Sequence, residues 1–467
     1  MSENATQKGW ALFKQALVGN STIDYTQGSV ARATFLLAVP MIIEMAMESI
    51  FAIVDIFFVA GIGTEAVATV GLTEAVITLL YALAMGLSMG TTALVARRIG
   101  EKNRVAASVT AAQALWLAGF ISIVVGVSGF LFAADILRLM GAEPGVIETG
   151  QTYTTIMFGS SFTIFFLFLI NAIFRGAGDA SLAMRTLVLA NGINILLDPC
   201  LIYGVGPFPE LGVTGAAVAT NIGRGCGVLY GAYYLCAADN RIRLLPAYAS
   251  LQIKILWAIL RISTGGVAQM LIATASWVFL MRIVSEFGGA AVAGYTIAVR
   301  IMLFIILPAF GLSNATATLV GQNLGAGLPL RAEATVWKVM QYVSYYMLAT
   351  TAIALLFDDQ LIGLFSKEPE VMAYGIACLR VFSYGLVFFG ISGTAVQAFN
   401  GAGDTLTPTW INFFSFWVVQ VPLAYVLALV MGIGPEGVFW AVFVSDVIAA
   451  VLSVYIFRRS SWKRKIV

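Results

Sequence analysis

Six polar side chains sit in stretches that otherwise read as bilayer interior. In LLAVPMIIEMAMESIFAIVDIFFVA (36–60), Glu44, Glu48 and Asp55 interrupt a run long enough to cross a membrane. Positions 44, 48, 51 and 55 are four, three and four residues apart. They share one helical stripe, with Phe51 one turn before Asp55. In NGINILLD (191–198), Asn191, Asn194 and Asp198 share a second stripe. A carboxylate at membrane depth costs about 2.5–3.5 kcal/mol on insertion scales, so it marks ion or proton handling by default. That argument bears most on Asp55 and Asp198. Glu44 and Glu48 also suit a water-filled mouth, and Asn191 equally suits a hydrogen bond between helices. Pro40 removes a backbone donor one turn before Glu44 and predicts a kink. The stretch 36–60 reads as an ion-handling helix.

The rest of the chain must hold these groups inside a membrane. Of 467 residues 60% are hydrophobic and 11% charged, and mean hydropathy is +0.91. That composition is a polytopic α-helical membrane protein with room for about twelve spans of about 20 residues. Apolar segments fall at 31–60, 66–97, 105–133, 147–174, 182–204, 212–236, 253–285, 291–320, 332–357, 371–399, 406–430 and 437–458. Most of the 26 Lys and Arg residues gather at the N-terminus, the even-to-odd connections and the C-terminus, which predicts both termini in the cytoplasm. Trp10, Phe13 and Leu17 share one face of 7–18 and predict a short helix on the membrane surface. The polar N-terminus does not read as a signal peptide.

Composition also excludes chemistry. The chain has no histidine, which removes His triads, His metal ligands and His proton relays. Its four cysteines are scattered, with no CxxC. No GxxxxGK[ST] occurs, so uphill movement needs an ion gradient or a partner. An enzyme is not expected.

The sequence repeats itself. VARRIGEKN (95–103) answers VGQNLGAGL (320–328), FRGAGD (174–179) answers FNGAGD (399–404), and LGVTGAAVATN (211–221) answers EGVFWAVFVSD (436–446). One constant offset of 225 positions relates all three pairs. It predicts two six-helix halves in parallel orientation. The expected organisation is an N-terminal segment 1–28, a first bundle 29–240, a linker 241–253, and a second bundle 254–467 with a basic tail. The GAGD turns read as helix punctuation, glycine ending one span and aspartate capping the next. Gly86 and Gly90 have the spacing of close helix packing.

The repeat is an internal control. Adding 225 maps Glu44 to Gln269, Glu48 to Ala273, Asp55 to Leu280, Asn191 to Phe416, Asn194 to Val419 and Asp198 to Leu423. The second half keeps none of the acids, which favours a functional cluster confined to the first. Asp446 and Arg300 are a candidate structural pair in the second half. Arg224 and Arg380 read as snorkelling side chains or counter-ions.

Taken together, LAVP with Asp55 fifteen residues on, ALVARRIGEKN, NAIFRGAGD, NILLDP and GVTGAAVAT resemble the multidrug and toxic compound extrusion (MATE) transporters, over about residues 29–458. The resemblance is to the DinF-like branch. The NorM-like branch is associated with acids in spans seven and ten, which this chain lacks. It implies a V-shaped pair of six-helix bundles and alternating access. It also implies export of amphipathic, often cationic drug-like compounds in exchange for protons or sodium. It makes Asp55, Asn194 and Asp198 the cation- or proton-binding set, with sodium a candidate metal there. Where relatives can carry tyrosine, this chain has Phe51. Glu44 and Glu48 lie outside the family pattern. Met45, Met85 and Met89 are candidate apolar contacts for substrate. The expected partners are drug-like molecules and membrane lipid, with no cofactor beyond the coupling ion and no nucleic acid. The chain is expected to act as a monomer in an inner membrane, if prokaryotic. The alternative is a lipid-linked saccharide flippase, which would need several basic residues within the spans.

Overall fold

A computed structural model describes residues 2–19, 23–236 and 240–465. The residues it leaves out fall in the N-terminal segment, just before the linker (237–239) and at the end of the basic tail. Helix α1 is Ser2–Val18. The first bundle follows with α2 (Val30–Ala60), α3 (Thr64–Gly100), α4 (Arg104–Leu139), α5 (Pro144–Gly159), α6 (Ser161–Ala177), α7 (Ala180–Tyr203) and α8 (Val213–Cys236). The second holds α9 (Ile253–Ser285), α10 (Gly289–Gly325), α11 (Pro329–Leu356), the short α12 (Asp358–Gly363), α13 (Pro369–Gly401), α14 (Leu406–Val430) and α15 (Pro435–Arg458). With α5 and α6 counted as one span bent by 41° at their break, ten segments among the described residues are long and apolar enough to cross a membrane, and α2 and α8 have the length to make twelve. The protein is an all-α integral membrane protein.

Local chemistry explains the boundaries. Pro144, Pro329, Pro369 and Pro435 open their helices, where a missing N–H is free of cost. Asn103 caps α4 by accepting from the Ala106 N–H at 2.9 Å. Gly178 and Gly403 end their helices at φ +84° and +80°, a conformation that a side chain would strain. The aspartates after them depart from expectation. Asp179 makes no side-chain cap and instead lies 3.9 Å from Arg241. Its twin Asp404 accepts from Lys465 at 2.9 Å. Basic side chains, rather than helix N–H groups, take these carboxylates.

The bundles join in a V at the end that carries the chain termini, through small residues that admit backbone. A Cβ on Gly86 would lie 2.5 Å from the Val267 nitrogen, and one on Gly90 2.9 Å from the Ile259 carbonyl oxygen. The packing expectation for this pair holds, and its partner is the other bundle. The two-fold repeat reappears as contact. Gly100 abuts the Gln322 carbonyl, where a Cβ would sit at 2.0 Å. Gly325 abuts the Arg97 carbonyl, at 2.1 Å. Gly100 and Gly325 are equivalent, as are Arg97 and Gln322. Thr318 and Gln322 also donate across the interface to the carbonyls of Arg175 and Gly176, each at 3.0 Å. Among the described residues no hydrogen bond joins the bundles in their far halves.

Residues 23–28 cross this closed end as a strap. Arg331 of the second bundle donates to the carbonyls of Tyr25, Gln27 and Gly28. Arg241, beyond the first bundle, donates to Ile23 and stacks on the Tyr25 ring at 5.4 Å. Lys102 reaches Asp24 at 3.6 Å. Helix α1 lies beside the strap with Ala16 buried and Trp10 exposed. Its inward face is thus Leu12 and Ala16, whereas Trp10 and Phe13, stacked at 5.7 Å, form a separate outer pair.

Candidate functional site

The first bundle brings the predicted set together. Helix α7 carries Asn191, Asn194 and Asp198 on its buried face. Asn194 Nδ2 donates to Asp198 Oδ1 at 3.2 Å and to Thr220 Oγ1 of α8 at 3.1 Å. Asn194 Oδ1 and Asp198 Oδ2 are buried and have no hydrogen-bond partner among the described residues. Asp55, on α2, is half-buried and close enough to Asp198 to act on it electrostatically. Two carboxylates, an amide oxygen and a hydroxyl therefore converge. Such a set can hold a proton between acids or supply oxygen ligands to a hard cation. Phe51 is half-buried one turn from Asp55.

Glu48 belongs to the same region. Asn191 Nδ2 donates to Glu48 Oε2 at 3.2 Å and to the Met47 carbonyl at 3.4 Å. Asn191 thus makes the hydrogen bond between helices foreseen for it, and one of its acceptors is an acid.

Glu44 is engaged elsewhere. It is 2% exposed and its Oε1 accepts from Arg175 Nη1 at 2.6 Å, beside the bundle interface rather than in the Asp55 cluster. Pro40 is buried within α2, which stays helical on both sides of it.

Sequence reasoning passed over one member, Glu74, and left the role of another, Arg224, open. Glu74 on α3 is near enough to act on Asp55, and Arg224 on α8 donates to the Tyr81 hydroxyl at 2.6 Å. Glu74 and Arg224 act on one another and feel Glu48. The repeat could have flagged both, since their twins are Val299 and Ala449. Arg224 was foreseen as a snorkelling group or counter-ion, and its 8% exposure decides for the counter-ion.

Two readings of the second bundle and the methionines need correction, the Arg300–Asp446 pair and Met89, while Arg380 falls on the counter-ion side of its expectation. Arg300 is exposed, and among the described residues no ion pair joins it to Asp446. Asp446 packs instead against Gly385, where a Cβ would meet its Oδ2 at 2.9 Å. Arg380 pairs with Asp358. Met89 lies against Gly266 at the bundle interface, so it is packing rather than substrate surface, while Met85 is exposed.

The MatE family model matches residues 40–200 and again 267–426, one match per bundle and more than half of the chain. A probable multidrug resistance protein of Bacillus subtilis, YoeA, is 27% identical over 94% of this chain and 95% of its own. The probable multidrug resistance protein NorM of Thermotoga maritima is 28% identical over 92% and 93%. Among solved structures, the outward-facing conformation of a multidrug resistance MATE transporter of the MOP superfamily superposes with a TM-score of 0.89 at 28% identity, covering 96% of this chain and 99% of that one. A MOP superfamily transporter from Pyrococcus furiosus superposes at 0.88 and 29% identity, covering 95% and 98%. Duplicated helices, an acidic first bundle and these matches agree: the chain belongs to the MatE family and is a transporter rather than an enzyme.

Proposed function

We propose that this protein is a secondary active multidrug exporter of the DinF-like branch. It moves amphipathic, often cationic compounds out of the cell by antiport with protons or sodium. The observation that carries this is the confinement of Asp55, Asn194 and Asp198, with Glu48 and Glu74, to one bundle of a symmetric pair. Changing the charge there acts on one arm of the V and biases one of two access states. The closed end is cytoplasmic by the positive-inside rule, which makes the present shape open to the outside. The likeness to an outward-facing relative supports that assignment. A cationic substrate and the coupling ion compete for the same carboxylates, which yields exchange. The partnerless Asn194 and Asp198 oxygens suit sodium as well as a proton. Lipid-linked saccharides, with their anionic pyrophosphate, have less support. The three arginines within the spans do not cluster, and Arg224 lies among acids.

The test is ethidium efflux from energised vesicles. Asp55→Asn and Asp198→Asn are each expected to abolish gradient-driven efflux, and wild-type rates in both would overturn the assignment. Flux in sodium-free buffer, set against flux without a pH gradient, identifies the ion.

A further inference from the structure

At the closed end, the outer face of the second bundle carries cations without carboxylates. Helices α11 and α15 both pack on α13 and meet at this end, where the Trp337 ring stands perpendicular to Phe457 at 5.5 Å. The Arg458 guanidinium lies over Trp337, 5.5 Å from the ring centroid, and that of Arg459 lies over Tyr455 at 4.6 Å. Both arginines are exposed, and Arg459 also donates one N–H to the Tyr455 hydroxyl. Lys338 lies over Tyr342 at 5.2 Å and donates to Gln341 at 3.1 Å. Among the described residues no ion pair joins Lys338, Arg458 or Arg459 to an acid. The neighbouring carboxylates are taken, Glu333 by Lys463 and Asp404 by Lys465. Further from this end, Tyr345 and Leu348 of α11 and Val451 and Tyr455 of α15 are each more than half exposed. They continue the stripes that begin at Trp337 and Arg458.

A ring beneath a guanidinium leaves its edge N–H groups open, and those suit phosphate oxygens. Cations, then rings, then apolar side chains, running inward from the membrane surface, match the order of parts in a phospholipid. A soluble anion would use the arginines and leave the apolar wall bare. The repeat separates this arrangement from the shared scaffold. The first bundle keeps the wall, with Phe120, Ile123 and Tyr230 at the positions of Tyr345, Leu348 and Tyr455. It lacks the cations, since Lys338, Arg458 and Arg459 correspond to Gln113, Tyr233 and Tyr234. There the chain supplies its own oxygens. Gln113 and Trp116 donate to the linker carbonyls of Ser250 and Ala249, at 2.9 Å each. Their twins Lys338 and Gln341 bond only within α11 among the described residues. One face is thus covered by chain, and its counterpart offers charge to something else.

We propose that the outer face shared by α11 and α15 at the closed end is a binding site for an anionic phospholipid. Arg458 and Arg459 take the phosphate oxygens, Lys338 adds its charge at the rim, and the acyl chains lie along Leu348 and Val451. The lipid does for the second bundle what the linker does for the first.

The test is native mass spectrometry of the full-length protein in detergent, titrated with dioleoyl phosphatidylglycerol or dioleoyl phosphatidylcholine. The two lipids share chains and phosphate, and only the first is net anionic. Wild type is expected to bind phosphatidylglycerol at least about tenfold more tightly. The double variant Arg458→Gln/Arg459→Gln is expected to bring that ratio to about one, with phosphatidylcholine binding unchanged. Lys254→Gln/Arg261→Gln removes two exposed cations of α9 at the same end and is expected to keep the wild-type ratio. Equal affinity of wild type for the two lipids overturns the proposal without recourse to any variant. So does an unchanged ratio in the Arg458/Arg459 variant. An equal loss in the α9 variant overturns it as well, because the attraction would then belong to the whole surface. Glycerol 1-phosphate, which has the anion and no chains, is expected to displace the lipid only at about a hundredfold excess or more. Displacement at equal concentration would make the face an anion site and overturn the lipid assignment.

Discussion

Glu44 and Arg175 form in the first bundle the contact that Gln269 and Asn400 form in the second. Each member is 225 positions from its counterpart. The charged version is an ion pair at 2.6 Å. The neutral version is a hydrogen bond from Gln269 Nε2 to Asn400 Oδ1 at 3.2 Å. Both link the first helix of a bundle to the turn that ends its fourth span. Glu44 is therefore a scaffold position that happens to be charged.

This relationship makes a stability prediction. Arg175→Asn alone leaves Glu44 buried and uncompensated, a change that typically costs about 3–5 kcal/mol. Adding Glu44→Gln rebuilds the pair that the second bundle already uses. The double variant is expected to recover most of the loss in thermal melting of detergent-solubilised protein. Additive losses would show that the two halves differ here in more than charge.

The same pair shows what the sequence could and could not convey. Twelve spans were legible because long apolar runs leave few alternatives in a bilayer, and the observed helices extend them by a few residues. The repeat was legible as one offset, and it located Asp55, Asn194 and Asp198. It was read too strictly for Glu44, because loss of charge was equated with loss of role. Gln269 keeps the shape and a polar end, so the contact survives. Glu74 was hidden, and the role of Arg224 left open, for another reason. Their significance depends on α3 and α8 facing α2, a tertiary fact that spacing within one helix does not carry. The break at Ser160 falls on the Gly159–Ser160 pair, a local kink signal that a count of apolar residues passes over.

The glycines at the interface predict paired behaviour. A Cβ at Gly100 would lie 2.0 Å from the Gln322 carbonyl oxygen and one at Gly325 2.1 Å from that of Arg97. Backbone cannot yield as a flexible side chain does, so Gly100→Ala and Gly325→Ala must each push the bundles apart at the closed end. Overpacking of this kind costs about 1–3 kcal/mol. Both variants are expected to widen the distance between spin labels placed across that end, by similar amounts because the positions are equivalent. A response in only one would break the equivalence.

Arg331, half-buried, should matter to the strap more than its neighbours there. It makes three hydrogen bonds to strap carbonyls, at 2.9, 3.3 and 2.9 Å, and it is the member that ties the strap to the second bundle. Arg331→Ala is expected to expose the chain around Tyr25 to limited proteolysis at least several-fold faster, with the helical content by circular dichroism unchanged. Equal cleavage rates would mean that Arg241 and Lys102 suffice.

Tyr25 sets an alkaline limit on the same strap. Burial pushes its phenol up to about 12, the Asp179 carboxylate adds to that rise, and Arg241 opposes it. An exposed tyrosine ionises near 10. Between about pH 10 and 12 the unfolded or released segment therefore loses a proton that the docked one keeps. The docked state binds more protons in that window, so its stability falls as pH rises. Below pH 10 both states are protonated and the effect vanishes. Strap release, followed by proteolysis or by a fluorophore beside residue 25, is expected to grow from pH 10 upward in the wild type. In Tyr25→Phe this growth should be absent, because the ring still packs against Arg241 but has no proton to lose. A variant that releases the strap with the wild-type pH profile would place the titrating group elsewhere.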